Sequence, residues 1–206
     1  TLHVDATNNR VGIGITSPGT ELDVIGTARA NNFVLRTNGS APTADASIFR
    51  AADNTLAFAT ANTERARFDS SGRLLIGTAT NQHNSGNLIQ AASASSTASI
   101  GLNRYSANAH PSYLDFFKSR DASVSGQTVV QDGDNLGQIT WAGSDGTNRA
   151  YSAFIDAQVD GTPGDGDMPG RIRFSTSADG SESPSERMRI GSNGNVTLNK
   201  GNAIAN

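Results

Sequence analysis

Apolar positions come in short runs that alternate with polar ones, and Gly, Asn, Asp or Ser interrupts each run before it reaches helical length. Glu21-Leu22-Asp23-Val24, Thr55-Leu56-Ala57-Phe58 and Arg171-Ile172-Arg173-Phe174 have the period of two that places apolar side chains on one face of a strand. Strands are predicted around Phe33-Val34-Leu35, Ser47-Ile48-Phe49, Thr55 to Phe58, Ser112 to Phe117, Leu136 to Ala142, Ala150 to Val159 and Arg171 to Thr176. Ser181 to Pro184 is the one candidate for a short helical turn. The pattern predicts an all-β chain of short antiparallel strands.

One unit in this pattern is written twice. Thr63-Glu64-Arg65-Ala66-Arg67-Phe68-Asp69-Ser70-Ser71-Gly72-Arg73-Leu74 aligns without gaps to Ser185-Glu186-Arg187-Met188-Arg189-Ile190-Gly191-Ser192-Asn193-Gly194-Asn195-Val196. Arg alternates with an apolar residue in both copies, and a Ser-x-Gly turn leads into a second apolar strand. The alternation predicts Ala66, Phe68, Met188 and Ile190 facing inward, with the arginines facing out or toward a neighbour. A partial third copy, Asn8-Asn9-Arg10-Val11-Gly12-Ile13-Gly14-Ile15, repeats only the turn and second strand. Gly12, Gly14 and Gly77 leave one strand face without side chains, so that another backbone can approach, and in a three-fold fibre that is where chains would meet. Thr16-Ser17-Pro18-Gly19 then reads as a turn.

Composition turns this pattern into an assembly argument. Only 35% of the residues are hydrophobic, yet the net charge is -3, too small for a chain kept disordered by self-repulsion. Thin cores of this kind are completed by identical neighbours in repeat and oligomeric fibres. The expectation is an elongated homotrimeric fibre with an intervening β-sandwich-like domain: shaft repeats over 1–80, an aromatic-rich β domain over 81–184 and a second shaft repeat over 185–206. The Ala/Ser-rich stretch from Ala91 to Ser96 reads as a linker or a small-residue strand. There is no cysteine, no dense basic run and no apolar stretch of transmembrane length. Disulfides, thiolate metal sites, nucleic-acid binding and membrane insertion are therefore not expected. Thr1 in place of an initiator Met reads as a processed product or a piece of something longer.

The Glu-Arg-x-Arg strand, its Ser-x-Gly turn and the Arg10-Val11-Gly12-Ile13-Gly14-Ile15-Thr16-Ser17-Pro18 stretch resemble the tail-fibre and other fibrous virion proteins of tailed bacteriophages, notably phages of marine bacteria and cyanobacteria. The stretch from Gly161-Thr162-Pro163-Gly164 through Met168-Pro169-Gly170-Arg171 to Arg189 is similar to a module common in that group. The resemblance implies a non-enzymatic structural segment of a tail fibre, located in the virion and extracellular. Its partners would be copies of itself, other tail or virion proteins and a host cell-surface glycan. Members of the group often end in a self-cleaving chaperone domain that assists trimer assembly, and no stretch of this chain resembles one. A bacterial surface adhesin or extracellular filament subunit is the alternative owner of the same repeat physics.

Candidate chemistry is sparse. Gly12-Ile13-Gly14 is half of a dinucleotide fingerprint, but the third glycine is missing and Pro18-Gly19 stands where a helix should begin. The Asp132-Gly133-Asp134 and Asp160 to Asp167 loops gather carboxylates without the ligand spacing of an EF-hand. His3, His83 and His110 are dispersed, and His83 is the one considered for an axial ion site formed by three chains. Neither a nucleophile elbow nor a facing carboxylate pair marks a hydrolase, which leaves a glycan depolymerase the less favoured reading. No cofactor, metal or catalytic residue is assigned. Arg65, Arg67, Arg187 and Arg189 are the candidates for trimer or inter-strand pairing, and Tyr105, Tyr113 and Trp141 for receptor or glycan contact.

Overall fold

Residues in the left-handed region set where the strands reverse: Asn9, Gly72 and Gly194 have φ of 56°, 76° and 79° and hold equivalent places in three hairpins. The computed structural model describes residues 1–28, 35, 39–40, 46–82, 86–95 and 97–199. Among the described residues there are thirteen strands and no helix, so the fold is all-β. The chain divides into two units, Thr1–Ser99 and Ile100–Asn206.

The first unit holds two sheets. Strands β1 (Leu2–Asp5), β2 (Arg10–Ile13) and β3 (Leu22–Val24) form a three-stranded sheet. Strands β4 (Ala46–Phe49), β5 (Leu56–Thr60), β6 (Thr63–Phe68), β7 (Leu74–Ile76) and β8 (Ile89–Ala91) form a five-stranded one. In the second unit β9 (Asn135–Ser144), β10 (Arg149–Val159), β11 (Gly170–Thr176), β12 (Ser185–Ile190) and β13 (Val196–Leu198) make one antiparallel sheet in chain order. The aromatic β domain thus takes the form of a single five-stranded sheet. Two boundaries expected from the sequence are corrected. The division falls after Ser99 instead of near residue 80, and residues 185–198 are not a separate segment, because β12 hydrogen-bonds to β11. No strand forms over Ser112 to Phe117, and Ala91 closes β8 instead of opening a linker. Ser181 to Pro184 holds no helical turn. Phe33, Val34 and His83 lie outside the described residues.

Strand pairing extends the duplicated unit beyond its aligned residues. On β5 and β6, Leu56, Ala57 and Phe58 oppose Phe68, Arg67 and Ala66, and a bulge then shifts Ala59 to Glu64. On β11 and β12, Ile172, Arg173 and Phe174 oppose Ile190, Arg189 and Met188, and the same bulge shifts Ser175 to Glu186. The loop between the paired strands is Ala61-Asn62 in the first case and residues 177–184 in the second, which hides the likeness in the sequence. A second correspondence joins the N-terminal strands to β6–β8. In both places an antiparallel hairpin is followed by a parallel third strand, β2 with β3 and β7 with β8. Val11 N donates to Glu21 O as Leu74 N donates to Leu88 O, both at 2.8 Å.

Each five-stranded sheet has one face closed by its own chain and one left open. Residues directly opposite across strands share a face, so Phe49, Ala57, Arg67, Leu75 and Gln90 line one side of the first sheet. Ala57 and Leu75 there are 0% exposed. The other side carries Ile48, Phe58, Phe68, Ile76 and Ile89, all exposed, with Phe68 at 45%. The expected inward placement of Phe68 and outward placement of Arg67 is therefore reversed. Arg67 stands between Ala57 and Leu75 on that face, and Glu64 neutralises its head group. In the second sheet Asp156, Gln158 and Ser175 are buried on one face, whereas Ile139, Ile172, Val196 and Leu198 are exposed on the other.

Candidate interaction surfaces

The four arginines chosen from the repeated strand all have partners within the chain. Arg67 reaches Glu64 at 2.5 Å and 2.6 Å, and Arg189 reaches Glu186 at 2.8 Å, each pair spaced i, i+3 along one strand across the bulge. Arg65 Nε donates to Thr60 Oγ1 at 2.9 Å, and Arg187 Nε donates to Thr176 Oγ1 at 3.1 Å, both across to the neighbouring strand. An ordinary strand would put residues three apart on opposite faces. The bulge inserts one residue and brings Glu64 and Arg67 to the same side.

The Glu186–Arg189 pair belongs to a charged ladder on the closed face of the second sheet. Asp156, 2% exposed, accepts from Arg173 at 2.9 Å and 3.1 Å through Oδ2, and its Oδ1 has no partner. Arg173 also lies 3.7 Å from Glu186. Arg171 donates to Asp160 at 2.7 Å and to Gln158 at 2.9 Å. In the first unit the cross-strand place of Asp156–Arg173 is taken by Phe49–Ala57, so one architecture closes the same face with ions in one copy and with carbon in the other.

Three carboxylates of the acidic loops, Asp132, Asp134 and Asp160, are taken up by the fold. Arg120 grips Asp134 through two bonds of 2.6 Å and 2.7 Å, and with Gln131 N this holds the Asp134 carboxyl far below the ordinary value of 3.8. Asp160 is lowered chiefly by the Ser192 backbone amide and then by Arg171. Burial acts against Asp69, yet bonds from the backbone and guanidinium of Arg73 and from Ser71 N keep it low as well. Asp132 Oδ1 accepts from Gly161 N. No cluster of three or more His, Cys, Asp or Glu among the described residues could hold a metal ion.

The close approaches predicted at the glycines occur within the chain. A Cβ on Gly14 would meet Ile25 O at 2.7 Å, and one on Gly77 would meet Ala92 O at 2.2 Å. The approaching backbone is in each case the residue that follows the parallel third strand, so these glycines admit the chain's own β3 and β8 ends.

The three aromatic candidates are not brought together. Tyr105 and Tyr113 lie in a segment without strands, Tyr105 being 94% exposed. Trp141 stands on β9 opposite Ala153, on the open face with Ile139 and Ile155. The opposite face of the same hairpin holds an aromatic cluster. Tyr151 and Phe154 meet edge to face with centroids 5.5 Å apart, and the Arg149 guanidinium sits 4.9 Å over the Tyr151 ring. The bulge at Ser152 puts these two rings on one side, and nothing in the sequence announces it.

The arrangement defines an all-β chain of repeated hairpin units with one-sided sheets. No family model and no curated protein matches the sequence. Among solved structures it is similar to the carboxy-terminal domain of the bacteriophage T5 L-shaped tail fibre, with a TM-score of 0.53 at 15% identity over 72% of this chain and 67% of that one. It is equally similar, by the same TM-score and identity, to that domain together with its intramolecular chaperone domain, of which it spans 46%. The likeness is one of fold.

Proposed function

We propose that this chain is a structural, non-catalytic segment of a bacteriophage tail fibre that assembles as a homotrimer and spaces or presents a host receptor-binding surface. The observation that carries the reading is the one-sidedness of both five-stranded sheets. The charged or small-residue face is closed by the chain itself, while the face bearing Ile48, Phe58, Phe68 and Ile76, or Ile139, Ile172, Val196 and Leu198, is left uncovered. Contiguous apolar surface of this extent marks an interface, and identical copies around one axis cover such faces with each other. The fold likeness to a tail-fibre domain and the resemblance of the Glu-Arg-x-Arg units to fibrous virion proteins supply the setting.

Within this reading other tail or virion proteins are the further partners. The β9–β10 tip, with Trp141 on one face and Tyr151 under Arg149 on the other, is the surface offered to a host glycan, because exposed aromatic rings stack on sugar faces. Light scattering of the purified chain is expected to give the mass of three copies, and a monomeric mass with a cooperative melt rules the trimer out. Immunogold microscopy of virions is expected to place the chain on the tail fibre. Label confined to bacterial surfaces would assign it to an adhesin instead.

A further inference from the structure

Residues 100–117 expose more apolar side chain than their own unit has any use for. Ile100 is 80% exposed, Tyr113 72% and Leu114 68%. No backbone–backbone hydrogen bond is made anywhere in this stretch. Its hydrogen bonds are local: Arg104 to Asn108 at 2.8 Å, Asn108 N to Ser106 Oγ at 3.4 Å and His110 N to Asn108 Oδ1 at 3.2 Å. At roughly 200 Å² per large aromatic ring, Tyr105 and Tyr113 alone present roughly 330 Å². A disordered linker is poor in aromatic residues, and this segment has four in thirteen positions from Tyr105 to Phe117.

The surface that suits it lies in the same unit. The open face of β9–β13 bears a mainly apolar groove of about 320 Å³ lined by Phe116, Ile139, Ile155, Ala157 and Ile172, which Gln138 and Asp156 also reach. Phe116 enters one side of it over Gly137, where a Cβ would come within 2.5 Å of the Phe116 Cβ. The segment is therefore rooted at the groove through one side chain, while the residues before it remain exposed. The opposite face is filled by its own side chains, with carboxylates and guanidiniums paired into the ladder of Asp156, Arg173, Glu186 and Arg189. The outer edge of β9 also carries unpaired backbone groups, as the end strand of its sheet.

We infer that residues 100–115 are an exchanged arm, which in the assembled protein lies across the open face of β9–β13 in a second copy of the chain. Each copy supplies one arm with apolar side chains and unpaired backbone, and one mainly apolar face with a free edge. The two needs are matched in number and in chemistry: strand addition along the β9 edge pairs the arm's backbone, and its apolar side chains then turn onto the adjoining open face. The inference rests on the oligomeric reading proposed above.

Photo-crosslinking of the full chain tests it without assuming a register. With p-benzoylphenylalanine placed at Tyr105 or at Tyr113, the mass in solution is measured first and the sample is then irradiated. The expected result is an oligomer that yields a covalent two-chain species on a denaturing gel, with peptides joining the arm to residues 135–198 of another chain. An oligomer whose arm cross-links only within its own chain, or not at all, overturns the exchange and leaves the trimer standing. A monomer overturns both. As an independent check, the combined Tyr105→Ser, Tyr113→Ser and Leu114→Ser variant is expected to keep its β-sheet circular dichroism while the concentration at which it dissociates rises at least tenfold. An unchanged dissociation concentration counts against the arm.

Discussion

At the scale of single residues, Asp156 is a costly position among those the structure describes. Its carboxylate is almost wholly removed from water, one oxygen is paired with Arg173 and the other has no partner. Removing one member of a buried ion pair costs about 3–5 kcal/mol, whereas replacing both with carbon of similar volume is often neutral or stabilising. The protein contains its own control, since Phe49 opposite Ala57 fills the equivalent place in the first unit. Asp156→Ala is expected to lower stability by about 2–3 kcal/mol, discounted because Arg173 keeps some solvent. Asp156→Phe with Arg173→Ala is expected to unfold at or above the wild-type denaturant midpoint, and a double variant weaker than Asp156→Ala would show that the ladder itself is required. A second group of aspartates, held by hydrogen bonds, makes a different prediction. Asp5, Asp121, Asp134, Asp145 and Asp160 are all held below the ordinary 3.8 by hydrogen bonds or by arginine. A carboxyl whose folded value is depressed contributes stability that is complete above its unfolded value and is lost as pH falls through the folded one. Stability followed by circular dichroism should therefore show no loss from these groups between pH 8 and about pH 5, and should fall progressively below that.

At the scale of elements, the hairpin with a parallel third strand depends on glycine for two separate reasons. Gly72 has a φ of 76° with open space around it, so Gly72→Ala meets only the left-handed penalty of about 1–2 kcal/mol. Gly77 has a φ of 71° and also the Ala92 carbonyl 2.2 Å from any added Cβ. Gly77→Ala should cost more than Gly72→Ala by at least about 2 kcal/mol and should free β8 from β7, read as faster amide exchange at Ala92, which donates to Ile76 O. Equal losses in the two variants would mean that β8 is not held through this contact. Much of this element could be read in advance. The turn glycines, the alternation and the gapless match of 63–74 to 185–196 mark β6, β7, β12 and β13 directly. The parallel strands could not be read, because Leu22–Val24 and Ile89–Ala91 are three residues long and local pattern says nothing about a partner beyond a crossover. The correspondence of β5 with β11 was hidden by unequal loops. The bulges at Arg65, Ser152 and Arg187 decide which side chains share a face, and strict alternation assigns those faces wrongly.

At the scale of the whole molecule, that error of face changes what the apolar residues are for. Arginine strands read as pointing outward suggest a chain that buries Phe68 in its own core and meets its neighbours through salt bridges. The structure pairs the arginines at home and leaves Phe68 open. The two arrangements predict opposite outcomes for Phe68→Ser. At a position that stays exposed the substitution changes stability by no more than about 0.5 kcal/mol. At a position covered by another copy it removes a large buried ring, worth about 3–5 kcal/mol per chain, and three copies lose it together. The melting temperature of an assembly also rises with chain concentration, because partner binding stabilises the folded state by mass action. We expect the wild-type melt to shift upward over a hundredfold range of concentration and Phe68→Ser to abolish the shift while retaining strand content by circular dichroism. Asp134→Ala, which breaks an internal ion pair instead, should lower the melt and keep its concentration dependence. A wild-type melt independent of concentration would place Phe68 in water and leave the one-sided sheets without a cover.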